Sequence, residues 1–124
     1  MRILHILDHS IPLHSGYTFR TRSILREQRA LGWETFHVTG SKQGPSDAAE
    51  ETIDGLHFYR TPAEQGMLAR LPVFNQKQVI DGLTRRLEEI IPKIKPDVLH
   101  AHSPSLNAVA ALRAGKKFGI PVVY

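Results

Sequence analysis

The chain contains no cysteine. That excludes disulfides, thiolate-bound zinc and thiol nucleophiles. It also lacks any apolar run near the ~20 residues that span a bilayer. The amino-terminal Met1-Arg2-Ile3-Leu4-His5-Ile6-Leu7-Asp8 is too short and too soon charged for a secretory signal, so it reads as a first strand in a cytoplasmic chain. Two nucleotide-binding signatures are missing as well. The first loop, His14-Ser15-Gly16-Tyr17-Thr18-Phe19, is not G-x-G-x-x-G, and no Walker A motif occurs, which argues against a free-standing NAD or ATP site. No RNA-binding signature or aromatic interleaving points to nucleic acid.

What remains is a chain of 124 residues, 41% apolar, with a formal charge of +4. The size fits one domain with a packed core. Part of the charge falls on one segment with Arg20, Arg22, Arg26 and Arg29 against Glu27. At about 100° per residue Arg22, Arg26 and Arg29 share a helix face. Such a face is either simply solvated or attracted to an anionic membrane surface.

Residues 2–8 form a nearly continuous apolar run, as in a strand buried on both faces. After a loop over residues 9–16, helical spacing over 17–31 places Tyr17, Ile24, Gln28 and Leu31 on one face, and Gly32 is a natural stop. Arg20 falls on that side, where it can reach back over the strand ends. A second strand is expected over 33–39, a polar loop over 40–49, and a hairpin about Asp54-Gly55 over 51–60. Residues 62–74 fit a loop or short helix. Asn75 is placed to cap a long helix with Val79, Leu83, Leu87, Ile90 and Ile94 as its stripe, ended or kinked by Pro92. A strand over 97–101, an Ala-rich helix over 104–118 and a buried strand from Ile120 complete the chain. This alternation predicts an α/β fold with a parallel sheet and right-handed crossovers. Stopping at Ile120-Pro121-Val122-Val123-Tyr124 suggests one half of a larger enzyme.

In open α/β sheets ligands gather at the carboxyl ends of strands. His100 and His102 are two apart at such an end and project to one face. His102 stands nearer the end and is the better acid/base or acceptor-site residue, whereas His100 sits deeper. A metal would need further ligands, which His9, His14 and Asp8 could supply. His5, His37 and His57 lie inside strands and read as structural. Gly16, after Ser15, opens the first helix, where bare backbone N–H groups favour an anion, although for a lone glycine a plain turn is the favoured reading. No aspartate ends a middle strand, which disfavours a phosphoacceptor receiver domain.

Several stretches are similar to one family when taken together and in order: Met1-Arg2-Ile3-Leu4-His5-Ile6, the Pro12-x-x-Ser15-Gly16 loop, Ala30-Leu31-Gly32-Trp33-Glu34-Thr35, and Lys95-Pro96-Asp97-Val98-Leu99-His100-Ala101-His102-Ser103. The chain resembles, along its whole length, the amino-terminal half of family 4 glycosyltransferases, retaining enzymes of the GT-B fold. Ser15-Gly16-Tyr17-Thr18-Phe19-Arg20 resembles the subgroup of exosortase and exopolysaccharide systems. The resemblance implies a Rossmann-like, acceptor-side domain over residues 1–124, with the donor-binding domain absent. The parent would transfer a sugar from a nucleotide-sugar donor to a saccharide or lipid-linked acceptor, in polysaccharide biosynthesis, without metal or other cofactor. It would act in the cytoplasm, peripheral at the inner face of the membrane. His102 maps to the active-site histidine, and Ser15 and Gly16 to the loop that approaches the donor phosphates. His14, Tyr17, Arg20 and Ser103 fall at the cleft rim. Ser15 departs from the second glycine found in many members. This fragment alone is expected to be inactive.

Two readings from other classes stay open on the residues alone. One is a stand-alone flavodoxin-like binding module without catalysis. The other is a metal hydrolase built on His100 and His102.

Overall fold

A computed structural model of the chain describes residues 1–7, 16–39, 50–53, 55–61, 72–102 and 106–123. In chain order the elements are β1 (Arg2–Leu7), α1 (Gly16–Ala30), β2 (Glu34–Thr39), β3 (Glu50–Ile53), β4 (Leu56–Arg60), α2 (Pro72–Ile94), β5 (Val98–Ala101), α3 (Leu106–Phe118) and β6 (Val122–Val123). The six strands form one sheet in the order β3-β4-β2-β1-β5-β6. Every pairing is parallel except the β3–β4 hairpin, which pairs antiparallel about Gly55. Gly55 has φ +75°, a left-handed conformation that glycine adopts without strain. The expected α/β class, a Rossmann-like parallel sheet with flanking helices, is the architecture observed.

The two faces of the sheet differ in chemistry. On one face Leu4, Ile6, Val38, Leu99 and Ala101 pack beneath α2 and α3, which supply Leu83, Leu87, Ile90, Ile91, Ile94, Ala108, Ala110, Ala111 and Ala114. The Ala-rich stripe lets α3 lie close to the strands. The opposite face, under α1, is largely polar. Among the described residues it buries His5, His37, Thr35, Thr39 and Arg60, with only a small apolar cluster of Leu7, Leu25, Leu56 and Phe58. Arg60, only 2% exposed, donates to the Glu51 carboxylate at 2.7 Å and to Thr39 Oγ1 at 3.1 Å. A buried guanidinium requires such partners.

That polarity accounts for the main departures from sequence expectation. The face α1 turns inward carries Thr18, Thr21 and Leu25 with Gln28 half-buried, while Leu31 is 67% exposed and Arg20 is exposed too. The expected stripe through Ile24 and Leu31 is rotated because threonines, not aliphatics, meet a polar sheet. Gly32 does end α1, with φ +87°. The helix α2 begins at Pro72, so Asn75 lies within it rather than capping it. Proline is tolerated in a first turn because its missing N–H has no intrahelical partner there. Pro92 falls in the last turn, and Lys95, with φ +53°, terminates the helix. The last strand is not buried: Val122 is half-buried and Val123 is 45% exposed. The loop expected over 40–49 lies outside the described residues, as do 62–71 of the segment 62–74 expected to be a loop or short helix; its residues 72–74 begin α2.

Candidate functional site at the carboxyl ends of β1 and β5

The sheet order puts β1 between β2 and β5. From β1 the chain crosses to β2 on one side, and β5 is later added on the other. The carboxyl ends of β1 and β5 therefore flank the point where the winding reverses, the usual ligand position in such sheets.

Strand register brings three histidines into one row under α1. His5 on β1 pairs with His37 on β2 and with His100 on β5. His102 follows β5 by one residue and projects to the same face as His100; the two rings stack with centroids 4.1 Å apart. The main chain of His102 is held by its N–H donating to Ile6 O at 3.1 Å. Its side chain meets His5: His5 Nδ1 and His102 Nε2 are 2.8 Å apart. On the other edge of its ring, His5 Nε2 lies 2.7 Å from Gln28 Oε1, which descends from α1.

Electrostatics keep these rings neutral. Burial lowers His102 from the ordinary histidine value to about 3, aided by His100, His5, Arg20 and His37. Burial also lowers His5 to about 4, against the opposing hydrogen bond from Gln28. His100 is lowered by burial and then by Arg20. Arg20, though exposed, thus acts on the histidine pair from the first turns of α1.

His37 is satisfied separately. Its Nδ1 donates to His57 O at 2.7 Å, so its Nε2 accepts from Thr35 Oγ1 at 2.9 Å, and that hydroxyl accepts from Arg29 Nε at 2.7 Å. Burial holds His37 at about 3. It is structural, as its strand position suggested. Arg29 is therefore tied into the fold rather than standing in a free basic face. His57 points to the other side of the sheet, bonded to Glu50 and Thr52.

The structure thus joins His100, His102 and Arg20. It adds His5, whose strand position reads as structural, and Gln28, whose spacing places it on one helix face with Ile24 and Leu31. The signal that finds His5 is its register opposite His100. His100 lies within β5 and His102 just past its end, as read from the sequence, yet His102 is the more strongly desolvated and, among the described residues, the one of the two with a side-chain hydrogen bond. Gly16 is the first residue of α1. His14, Ser15 and Ser103 lie outside the described residues, as does the side chain of Tyr17, and so do His9 and Asp8, weighed as metal ligands. Among the described residues, nitrogens of His5, His100 and His102 do come within 4.8 Å of one another. A shared metal would have to replace the proton between His5 and His102.

A family model for the glycosyl transferase 4-like domain matches residues 15–124. The chain belongs to that family. Among relatives of this glycosyl transferase 4-like domain, the sulfoquinovosyl transferase SQD2 of Arabidopsis thaliana is 28% identical over 109 residues, covering 88% of this chain but 19% of the plant enzyme. The sucrose-phosphate synthase of Thermosynechococcus elongatus superposes with a TM-score of 0.68 at 17% identity, over 98% of this chain and 31% of that one. A UDP-GlcNAc 2-epimerase from Neisseria meningitidis, bound to UDP-GlcNAc, gives 0.64 at 12% identity, over 98% and 31%. At those identities the two structures bear on fold alone. The domain spans about a fifth to a third of each relative. No helix among the described residues is long and apolar enough to cross a membrane.

Proposed function

We propose that this domain forms the acceptor-binding side of a retaining GT-B glycosyltransferase of family 4. The whole enzyme transfers a sugar from a nucleotide-sugar donor to a saccharide or lipid-linked acceptor in polysaccharide biosynthesis. What carries the reading is the neutral His102 at the β1–β5 switch point, in a chain of the glycosyl transferase 4-like family. A neutral imidazole can accept a hydrogen bond from a sugar hydroxyl, which a protonated one cannot. Arg20 contributes positive potential at the same rim, suited to a phosphorylated donor or acceptor. Ser15 and Gly16 serve the donor phosphates through backbone N–H groups at the start of α1, and His14, Tyr17 and Ser103 complete the rim. No metal or other cofactor is required in this reading. The enzyme works in the cytoplasm, peripheral at the inner face of the membrane.

The test is transfer by the full-length parent protein. Incubation with UDP- and GDP-sugars and a panel of lipid-linked and free saccharides should yield a glycoside whose anomeric configuration matches the donor, with chelators present. Transfer with inversion, or a requirement for added metal, would overturn the corresponding part. Hydrolysis or epimerisation of the donor without transfer would overturn the whole.

A further inference from the structure

The hydrogen bonds around His5 specify where the protons sit. A neutral imidazole has one N–H and one lone pair, and an amide oxygen only accepts. His5 Nε2 faces Gln28 Oε1 at 2.7 Å, so Nε2 carries the proton of His5. His5 Nδ1 is then a lone pair. Its partner 2.8 Å away, His102 Nε2, must be the donor. That bond uses the single proton of His102 and leaves its Nδ1 bare.

We propose that Gln28 and His5 are positioning residues that hold His102 in its Nε2–H tautomer, so that His102 Nδ1 accepts a hydrogen bond from a hydroxyl group of the acceptor sugar.

Three observations support this. Among the described residues, no hydrogen-bond donor is spent on His102 Nδ1. The neighbouring His37 has both ring nitrogens engaged, to Thr35 and His57, and so does not compete for His5. The stack of His100 on His102, with planes 20° apart, covers a ring face and leaves the in-plane lone pair clear. Gln28 lies near the carboxyl end of α1, far along the chain from the sheet's carboxyl edge, so the wire runs beneath the helix from its anchor to the rim. The acceptor role rests on the reading of His102 as a substrate-facing residue; the tautomer does not.

The experiment is therefore nitrogen-15 NMR of this chain near neutral pH, with no sugar present. Correlations from ring carbon-bound protons identify each nitrogen as protonated or bare, and a scalar coupling across the N–H···N bond identifies its two ends. The expected result is Nε2–H on both His5 and His102, with a coupling between His102 Nε2 and His5 Nδ1. Gln28→Met should abolish that coupling and give His102 averaged, mixed-tautomer shifts. Gln28→Glu should restore the wild-type pattern, because a carboxylate also only accepts. A proton on His102 Nδ1 in the wild type, or Gln28→Met leaving the His102 signals unchanged, would overturn the relay. A confirmed relay together with full turnover of a His102→Ala parent would instead overturn the functional reading.

Discussion

His5 Nδ1 and His102 Nε2 meet at 2.8 Å across 97 residues of sequence. Because the His5 ring is 0% exposed, water cannot replace the partner. His102→Ala should therefore cost about 1–3 kcal/mol, the penalty for a buried group left unsatisfied. His100 has no side-chain hydrogen bond among the described residues, and His100→Ala should cost less. Urea unfolding of the two variants checks the order; a larger loss for His100→Ala would contradict it.

In the full-length parent, His102→Ala should also lower turnover by about a hundredfold, the scale of one lost transition-state contact at ~3 kcal/mol. Steady-state rates corrected for folded fraction separate this from the stability effect. Unchanged turnover would remove His102 from the site.

Acid should unfold the domain early. His5 and His37 are held at about 4 and about 3, below the ordinary 6.5, so the unfolded chain binds more protons than the folded one between those values. Their contribution to stability is complete above about pH 6.5 and declines as pH falls toward 3–4. While both titrate only in the unfolded state, the slope approaches roughly 3 kcal/mol per pH unit. Denaturant midpoints from pH 7.5 downward should fall steadily. His37→Phe should flatten the decline, and a flat profile in the wild type would count against buried neutral rings.

Gly115 sets the fit of α3 against β6. A Cβ there would lie 2.6 Å from Val122 Cγ2 and 2.8 Å from Ile120 O. The side chain can rotate, but the backbone oxygen cannot withdraw cheaply. Gly115→Ala should destabilise by about 1–3 kcal/mol through overpacking, despite alanine's better helix propensity. Thermal melting decides the sign.

Lys95 is the non-glycine residue with positive φ among those described, at +53°, and its N–H donates to Ile91 O at 2.7 Å. It ends α2 in a left-handed conformation that costs an L-residue about 1–2 kcal/mol. Lys95→Gly should raise stability by up to about 1 kcal/mol, because the left-handed strain removed outweighs the greater entropy that glycine loses on folding. A lower melting temperature would show that the lysine side chain contributes more than the strain removes.

The legible parts of the sequence were those governed by apolar periodicity. The stripe of Leu83, Leu87, Ile90 and Ile94 on α2 and the apolar run of β1 are buried as their spacing implies. The hairpin at Gly55 followed from turn chemistry. The α1 side was not legible, because its sheet face is built of His5, His37, Thr35 and Arg60, and a helix that meets polar groups shows no aliphatic stripe. His5 was invisible as a site residue for a related reason. Its role depends on strand order and register with His100, which no local pattern encodes. The pairing of His100 with His102 was readable because the two stand two residues apart at the end of one strand.

The unequal faces of the sheet have a consequence for how the molecule breathes. Beneath α2 and α3 lies a continuous aliphatic layer, whereas among the described residues α1 adds Leu25 to a cluster of four buried apolar side chains and otherwise meets the sheet through hydrogen bonds. Little hydrophobic free energy resists lifting α1, and water admitted there can replace many of the bonds lost. The amides of α1 should exchange with solvent through a partial opening that leaves α2 and α3 protected. Such an opening would expose His5 and Gln28 before the rest of the core. The site's histidines thus sit on the least cooperative layer of the domain, where a bound sugar that pinned α1 down would register as slowed exchange along the whole helix.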